Sequence, residues 1–354
     1  MSLQITNFKE GNVKKNAKNA DFEYAVGGFR LMPKVGLAFG IIPFTNIGYN
    51  YQSTGTVNRD DISGTTTYTN TYSGEGGLHE AFIGLGWQPV KGVSLGVNGG
   101  YLWGNCTRTV SNAYSDSYVN TLSKTMSFDV TNYKVNFGVQ LSRNLSAKDL
   151  LTLGATYSIG HKLNADPTLD IVSTNSQTSV TDTIQFVANN SIELPHEFAL
   201  GLAYTHNNSF TVAFDYQMQQ WSKVHYPKYN DTGNGKPTFY SASGMFSDRQ
   251  KFNLGMEYCR DKAGRNFASR VCYRLGASYT TPYLKINGLE GPKEFSVSGG
   301  FGLPILNQWN NRSILNISAQ WVRSSAKDMI TENTFRINIG LTFNDRWFAK
   351  WKFD

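Results

Sequence analysis

The five histidines, His79, His161, His196, His206 and His225, are the residues best suited to proton transfer or metal binding. A metal centre needs His, Cys or carboxylate ligands grouped at short, regular spacings. No two of these histidines stand at such a spacing, and no Cys or carboxylate cluster joins them. No metal ligand and no cofactor are therefore expected. Gly92-Val93-Ser94-Leu95-Gly96 matches the Gly-x-Ser-x-Gly string of a hydrolase nucleophile. That nucleophile needs a strand-to-helix turn. Here the string opens a strand-like alternation, so it reads as a chance match in a chain with 34 glycines. No Gly-x-x-x-x-Gly-Lys-Ser/Thr phosphate loop occurs. No catalytic residue is assigned, and the chain is not read as an enzyme.

Three cysteines remain. Cys106 has no evident partner. Cys259 and Cys272 flank a turn near 262–266 and fall on the inward phase of adjacent strands. A cross-strand disulfide is conceivable there. Two unpaired buried thiols are expected unless the register brings the pair face to face.

These residues must be carried by an architecture that the composition narrows. The chain has 354 residues, 33 Lys and Arg against 26 Asp and Glu, 17% charged and 14% aromatic residues. Mean hydropathy is −0.36. Disorder is excluded by the apolar and aromatic surface available for burial. With 3 cysteines in 354 residues the chain is not a disulfide scaffold. No apolar run approaches the ~18 residues of a membrane helix. Polar yet weakly charged, and rich in Gly, Asn, Ser, Thr, Tyr and Phe, the chain fits strands with one lipid face and one wet face. The basic balance points weakly to anionic partners such as lipid headgroups. Lys14, Lys15 and Lys18 lie in a short Asn-rich stretch that does not argue for nucleic acid.

Alternation with period 2 recurs along the chain. Val93, Leu95 and Val97 alternate with Ser94, Gly96 and Asn98. Phe210, Val212, Phe214 and Tyr216 alternate with Thr211, Ala213, Asp215 and Gln217. Phe335, Ile337, Ile339 and Leu341 alternate with Arg336, Asn338 and Gly340. The pattern predicts an all-β, transmembrane, antiparallel β-barrel of about fourteen strands. The spans are 1–9, 20–31, 35–52, 73–87, 92–108, 123–141, 149–163, 192–206, 209–221, 247–259, 269–281, 293–303, 312–325 and 332–344. Residues 1–344 form the barrel and 345–354 a short, basic and aromatic periplasmic tail suited to anchoring at headgroups.

Connections after even-numbered strands are short. Several after odd-numbered strands, 53–72, 109–122, 164–191 and 222–246, are long. Sorting of loop length by strand parity is what the two rims of an outer-membrane barrel require. Tyr24, Tyr49, Trp87, Trp103, Tyr157, Trp221, Tyr279, Trp321 and Trp347 are candidate girdle residues at the headgroup level. The predicted location is the bacterial cell outer membrane.

Two segments carry a resemblance. Val35-Gly36-Leu37-Ala38-Phe39-Gly40-Ile41-Ile42-Pro43-Phe44-Thr45-Asn46-Ile47-Gly48-Tyr49-Asn50-Tyr51 is the first, and Asn338-Ile339-Gly340-Leu341-Thr342-Phe343-Asn344-Asp345-Arg346-Trp347-Phe348 the second. With strand count and loop parity, the chain resembles the FadL-like outer-membrane transporters of hydrophobic compounds, in a Bacteroidota-type branch. The resemblance implies a fourteen-stranded monomeric barrel plugged by an N-terminal hatch, which carries compounds such as long-chain fatty acids. The sequence opens directly in a strand-like alternation, without a signal peptide or hatch, and is expected to be truncated there.

Pro43 lies mid-strand, where a ladder loses a donor. Val35, Leu37, Phe39 and Ile41 continue in phase to Ile47, Tyr49 and Tyr51, so one strand with a broken bond is expected. The family's kinked third strand makes a lateral opening, and Pro43 resembles the cause of such a kink. A simple bulge is the alternative. Ile42 and Phe44 beside it, with Phe82 and Leu102 on the following strands, share the inward phase. They form a candidate apolar ligand path, or pack against a hatch. Two functions follow. The first is a passive channel for hydrophobic small molecules, with membrane lipids around it and lateral exit at the third strand. The second is a non-transporting structural or assembly subunit held by an outer-membrane protein partner.

Overall fold

The computed structural model describes residues 1–10, 13–58, 65–231, 236–262, 264–286, 288–306, 312–327 and 329–343. The expected tail at 345–354, Trp347 included, lies outside the described residues.

Strands dominate. In chain order they are β1 (Ser2–Glu10), β2 (Val13–Asp21), β3 (Ala25–Met32), β4 (Val35–Asn58), β5 (Thr65–Val90), β6 (Val93–Tyr114), β7 (Thr121–Asn144), β8 (Asp149–Ser158), β9 (Thr168–Thr174) and β10 (Thr181–Val187). There follow β11 (Glu197–His206), β12 (Phe210–Gln219), β13 (Tyr226–Asn230), β14 (Thr238–Ala242), β15 (Arg249–Cys259), β16 (Cys272–Thr280), β17 (Lys285–Ile286), β18 (Leu289–Glu290), β19 (Lys293–Leu306), β20 (Arg312–Ser325) and β21 (Thr331–Thr342). A short helix, α1 (Phe267–Arg270), lies between β15 and β16.

Antiparallel pairing runs β3–β4–β5–β6–β7–β8–β11–β12–β15–β16–β19–β20–β21 and continues from β21 to β1 and from β1 to β2. The first strand thus pairs with the last, Leu3 opposite Ile337 and Ile5 opposite Phe335. β2 runs on into β3 through residues 22–24. Taken as two halves of one stave, they make fourteen staves in the wall, as the alternation predicts.

The wall turns its apolar set outward. Leu95, Val97, Phe214, Leu254, Leu275 and Ile339 are all exposed. On a β-strand successive side chains point to opposite faces, and the opposite set is small and polar. One inward row of glycines, Gly36, Gly86, Gly96 and Gly138, crosses four strands rung by rung. Exposed aliphatic and aromatic side chains around the whole circuit need hydrocarbon against them. This is the lipid face of an outer-membrane β-barrel.

The two rims differ as loop parity predicts. Lys34, Gly92, Asn207 and Asn208 adopt positive φ in tight turns on one rim. Gly92 has φ 88° in the turn joining Val90 to Val93, and this accounts for the Gly-x-Ser-x-Gly match: its first glycine is a turn residue and Ser94 is a strand residue opposite Gln140. On the other rim the expected loops contain more strand than the sequence suggested. β4 and β5 stay paired through Asn58 and Thr65, within the segment read as the 53–72 loop. β6 and β7 likewise shorten 109–122, and 164–191 holds the β9–β10 hairpin. At 22–26 residues, β4 to β7 have at least twice the ~9–11 needed to cross a membrane. Their upper halves, extended by β9 and β10, stand above it as a sheet. The segment 222–246 contributes the β13–β14 hairpin.

Cys259 and Cys272 are directly opposed across β15 and β16 and form a disulfide. This corrects the expectation of two free thiols: the register condition is met. Cys106 is free and buried.

Candidate functional site: the seam beside Pro43 and the lumen behind it

The site begins where a ladder ends. β3 pairs with β4 only from Val35 to Ile41. Above Ile41, among the described residues, β4 is paired with β5 alone, and β2 is paired with β1 alone. The wall therefore has a seam between β2 and the upper half of β4, and residues 22–24, which join β2 to β3, form a bridge within the stave at its lower end. Phe22 and Tyr24 on that bridge are exposed.

Pro43 sits at the lower corner of the seam. It lies opposite His79, Thr45 lies opposite Leu78, and Phe44 between them has no partner on β5. Two residues against one is a β-bulge. The bulge reverses the faces of β4. Below it Phe39 and Ile41 are exposed on the lipid side, as Ile83 and Leu85 are on β5. Above it Ile47 packs with Phe44 against the interior cluster. This corrects the expected unbroken phase: Ile47, Tyr49 and Tyr51 belong to the opposite face from Val35, Leu37 and Phe39. The alternation in the sequence passes through the bulge because the inserted residue, Phe44, is itself apolar.

Ile42 pairs with Glu80 and so points inward, and Phe82 shares that face two residues along β5. A Cβ built on Gly40 would lie 2.7 Å from Val26 Cγ1, 3.0 Å from Phe82 Cε1 and 2.7 Å from the Ala25 carbonyl oxygen. Val26 and Phe82 thus converge over Gly40, and Val26 keeps 57% of its surface exposed. Exposed Val26 and half-buried Ile42 and Phe82 make an apolar patch on the lumen wall below the seam. Val26 was not singled out from the sequence, because only its register against Gly40 places it there.

Leu102 lies elsewhere in the interior. It is fully buried in a cluster with Leu78, Cys106, Val130, Leu163, Ala165, Ile192 and Leu194, against which Phe44, Ile47 and Phe128 also pack. Leu163, Ala165, Ile192 and Leu194 come from the excursion between β8 and β11. That excursion folds into the barrel and covers Leu102. Beside the cluster, Glu80, 2% exposed, receives the Lys134 ammonium at 3.3 Å, and Lys134 lies 4.8 Å from the centroid of the Phe44 ring.

A second excursion, between β12 and β15, brings Trp221, Tyr226 and Phe246 into an aromatic cluster with Tyr283 from the connection after β16. Burial raises the Tyr226 hydroxyl pKa, partly opposed by nearby Arg108. His225 ties the two excursions together: its backbone N–H donates to Glu193 Oε2 at 3.0 Å, and its ring Nδ1 is 2.8 Å from the same oxygen.

The other histidines have structural settings. His79 stacks on Trp103, His161 on Tyr133 and His196 on Tyr157. These rings, with Tyr101 and Phe198, form part of an aromatic belt at the long-loop side. Trp103 and Tyr157 are thus among the expected girdle residues. Trp221 belongs to the loop cluster instead, and Tyr49 lies above the bulge. On the short-turn rim His206 Nδ1 is 2.7 Å from Asp149 Oδ1, and Ser146 donates to the other oxygen of that carboxylate. A Ser-His-Asp relay needs the serine on the imidazole. Here the serine is bound to the acid.

The barrel of fourteen staves, with long excursions on one rim and an interrupted third stave, is a FadL-like outer-membrane fold. A monoaromatic hydrocarbon channel, CymD, superimposes with a TM-score of 0.60 at 13% identity, over 98% of this chain and 88% of that one. The Pseudomonas putida toluene transporter TodX gives 0.57 at 14% identity, over 96% and 86%. A Pseudomonas aeruginosa FadL homologue gives 0.50 at 9% identity, over 95% and 87%. No curated protein matches the chain. The family model described as BamG matches residues 1–354, and the chain belongs to that family.

Proposed function

We propose that this barrel passes hydrophobic small molecules, such as long-chain fatty acids, across the lipid boundary of the outer membrane without covalent chemistry. The observation that carries the reading is the coincidence of two features. The wall loses its β3–β4 ladder at Ile41, and the apolar patch of Val26, Ile42 and Phe82 lies on the lumen side of the same point. A ligand tail would leave the patch past Pro43 and enter the lipid through the seam, driven by burial of its apolar surface. The toluene and hydrocarbon transport named for the structural neighbours supports the same direction. The test is uptake of a fluorescent fatty acid by vesicles containing the purified chain, compared with the Val26→Asn/Phe82→Asn double variant. Uptake that stays equal in the two removes the reading.

A second reading is a non-transporting structural or assembly subunit of an outer-membrane protein complex. One observation favours it: Leu102, the most buried of the expected path residues, is sealed under the chain's own β8–β11 excursion. The neighbouring lumen wall carries glycines and amides such as Asn98, Asn136 and Gln140. Mild detergent extraction followed by mass spectrometry separates the two readings. A stoichiometric protein partner supports the second, and a lumen lipid without one supports the first.

A further inference from the structure

The outward face of β19, β20, β1 and β2, on the β2 side of the seam, carries basic side chains on three neighbouring rungs toward the long-loop rim. Register fixes their positions. Trp321, Phe335, Ile5 and Lys18 form one continuous outward rung across β20, β21, β1 and β2. Two residues further toward the long-loop rim the rung is Arg323, Asn333, Asn7 and Asn16, and beyond it Lys9 faces Thr331 and Lys14. On β19, Phe295 is opposite Arg323, and Lys293, two residues farther out, is opposite Ser325.

Lys9, Lys14, Lys18, Lys293 and Arg323 are all exposed, and among the described residues none has an ion-pair partner. The carboxylates nearby point the other way. Glu294 shares a rung with inward Ser324, as does Glu332. Asp21 faces inward, taking the Gln4 side-chain amide at 3.0 Å.

An apolar stripe of Leu3, Ile5, Trp321, Phe335, Ile337 and Phe295, all exposed, runs along the same staves. Lys18 shares its Trp321–Phe335–Ile5 rung and Arg323 is level with Phe295, so these two bases lie at its upper edge and Lys9, Lys14 and Lys293 lie beyond it. Five bases at and beyond the upper edge of a lipid-facing stripe, with an aromatic rung at the boundary, lie where lipid phosphates lie. The rim with the long excursions is the outer one, so the leaflet is the outer leaflet. We propose that the β19–β20–β21–β1–β2 flank binds a phosphorylated glycolipid of the outer leaflet, its phosphates on Lys14, Lys18 and Arg323 and its acyl chains on the stripe beneath. A bound lipid there would also cover the unpaired edge of β2 at the seam.

The test uses native mass spectrometry of the full chain in detergent. It is offered bis-phosphorylated lipid A, the same glycolipid stripped of phosphate, and phosphatidylcholine, with inorganic phosphate as a competitor. Retention of the bis-phosphorylated lipid alone is expected, together with its release when ionic strength is raised, because exposed charges are screened. The K14Q/K18Q/R323Q variant should lose at least about tenfold in affinity, as each base near an anionic surface contributes several-fold. The K91Q/K148Q variant, which removes two lysines from the short-turn rim, should match the parent. All of the substituted side chains are exposed, and heat-dependent gel mobility checks folding. Equal binding of the dephosphorylated glycolipid, no effect of K14Q/K18Q/R323Q, or insensitivity to salt would each overturn the proposal. Displacement of the lipid by millimolar inorganic phosphate would also overturn it, by showing a bare anion site.

Discussion

Pro43 stands opposite His79 on β5, and the residue after it, Phe44, stands opposite nothing. That one unpaired residue turns the upper half of β4 over and delivers Phe44 and Ile47 to the interior cluster around Leu102. Deleting Phe44 should restore the simple register, drive Ile47 and Tyr49 to the other face and strip two packing partners from the cluster. A loss of about 2–5 kcal/mol is expected from such truncation of a packed interior. Denaturant unfolding of the detergent-solubilised barrel measures it. Pro43→Val, which keeps the residue count, should leave the barrel folded.

The disulfide makes a thiol count decisive. Unfolded without reductant, the chain should react with one equivalent of maleimide, at Cys106. After reduction it should react with three. The bridge closes a loop with a sequence separation of 13 residues, and reduction should destabilise the unfolding equilibrium by about 3 kcal/mol on a chain-entropy estimate. Two reactive thiols or more before reduction would contradict the pairing.

The pairing also shows where sequence reading stops. Alternation around Phe210, Leu254 or Ile339 is legible because a strand with one lipid face must repeat every second residue. Whether Cys259 meets Cys272 depends on register, which no local pattern encodes. The tall sheet above the membrane was hidden for a related reason. Thr65, Thr66, Thr67, Thr69 and Thr71 belong to a polar tract that reads as loop, although Thr is β-branched and suits a ladder exposed to water. The Pro43 interruption was legible from the proline. The change of face was not, because Phe44 is apolar and masks the insertion. Val26 became visible only through its neighbour Gly40.

Glu80 and Lys134 should behave as a unit. Glu80 is almost wholly buried and Lys134 nearly so. Glu80→Gln alone leaves a buried ammonium without its counter-charge, and a cost of about 3–5 kcal/mol is expected for breaking such a pair. The double variant Glu80→Gln/Lys134→Met should recover much of that loss, since Met can keep the contact with the Phe44 ring. A double-mutant cycle in unfolding experiments gives the coupling. Additive losses would show that the two residues are independent.

Loop parity assigns the rims, and labelling tests the assignment. Cys106 is buried, so a cysteine placed at Ser176 or at Ser146 should report its own position. Ser176 lies in the β9–β10 turn on the long-loop rim, and Ser146 in the tight turn between β7 and β8. Intact cells treated with an impermeant maleimide should label Ser176→Cys and spare Ser146→Cys, and cell lysis should expose both. Equal labelling before lysis would invert or abolish the proposed orientation.

Gly40 closes the last rungs of the β3–β4 ladder, and the space above it leaves no room for a side chain. A Cβ there would meet the Ala25 carbonyl oxygen at 2.7 Å. Backbone cannot step aside as a flexible side chain can, so Gly40→Val should push β3 from β4 and lengthen the seam downward from Ile41. The same change crowds Val26 and Phe82, the apolar patch on the lumen side. Two effects are therefore expected together: loss of stability by about 1–3 kcal/mol, as for other overpacked sites, and faster backbone hydrogen exchange confined to Ala25–Arg30 and Gly36–Ile41. Fatty-acid uptake decides what the seam is for. If ligand leaves by this route, a longer seam beside a perturbed patch must change the uptake rate. An altered ladder with an unaltered rate would leave the barrel intact as a fold and favour the assembly-subunit function over transport.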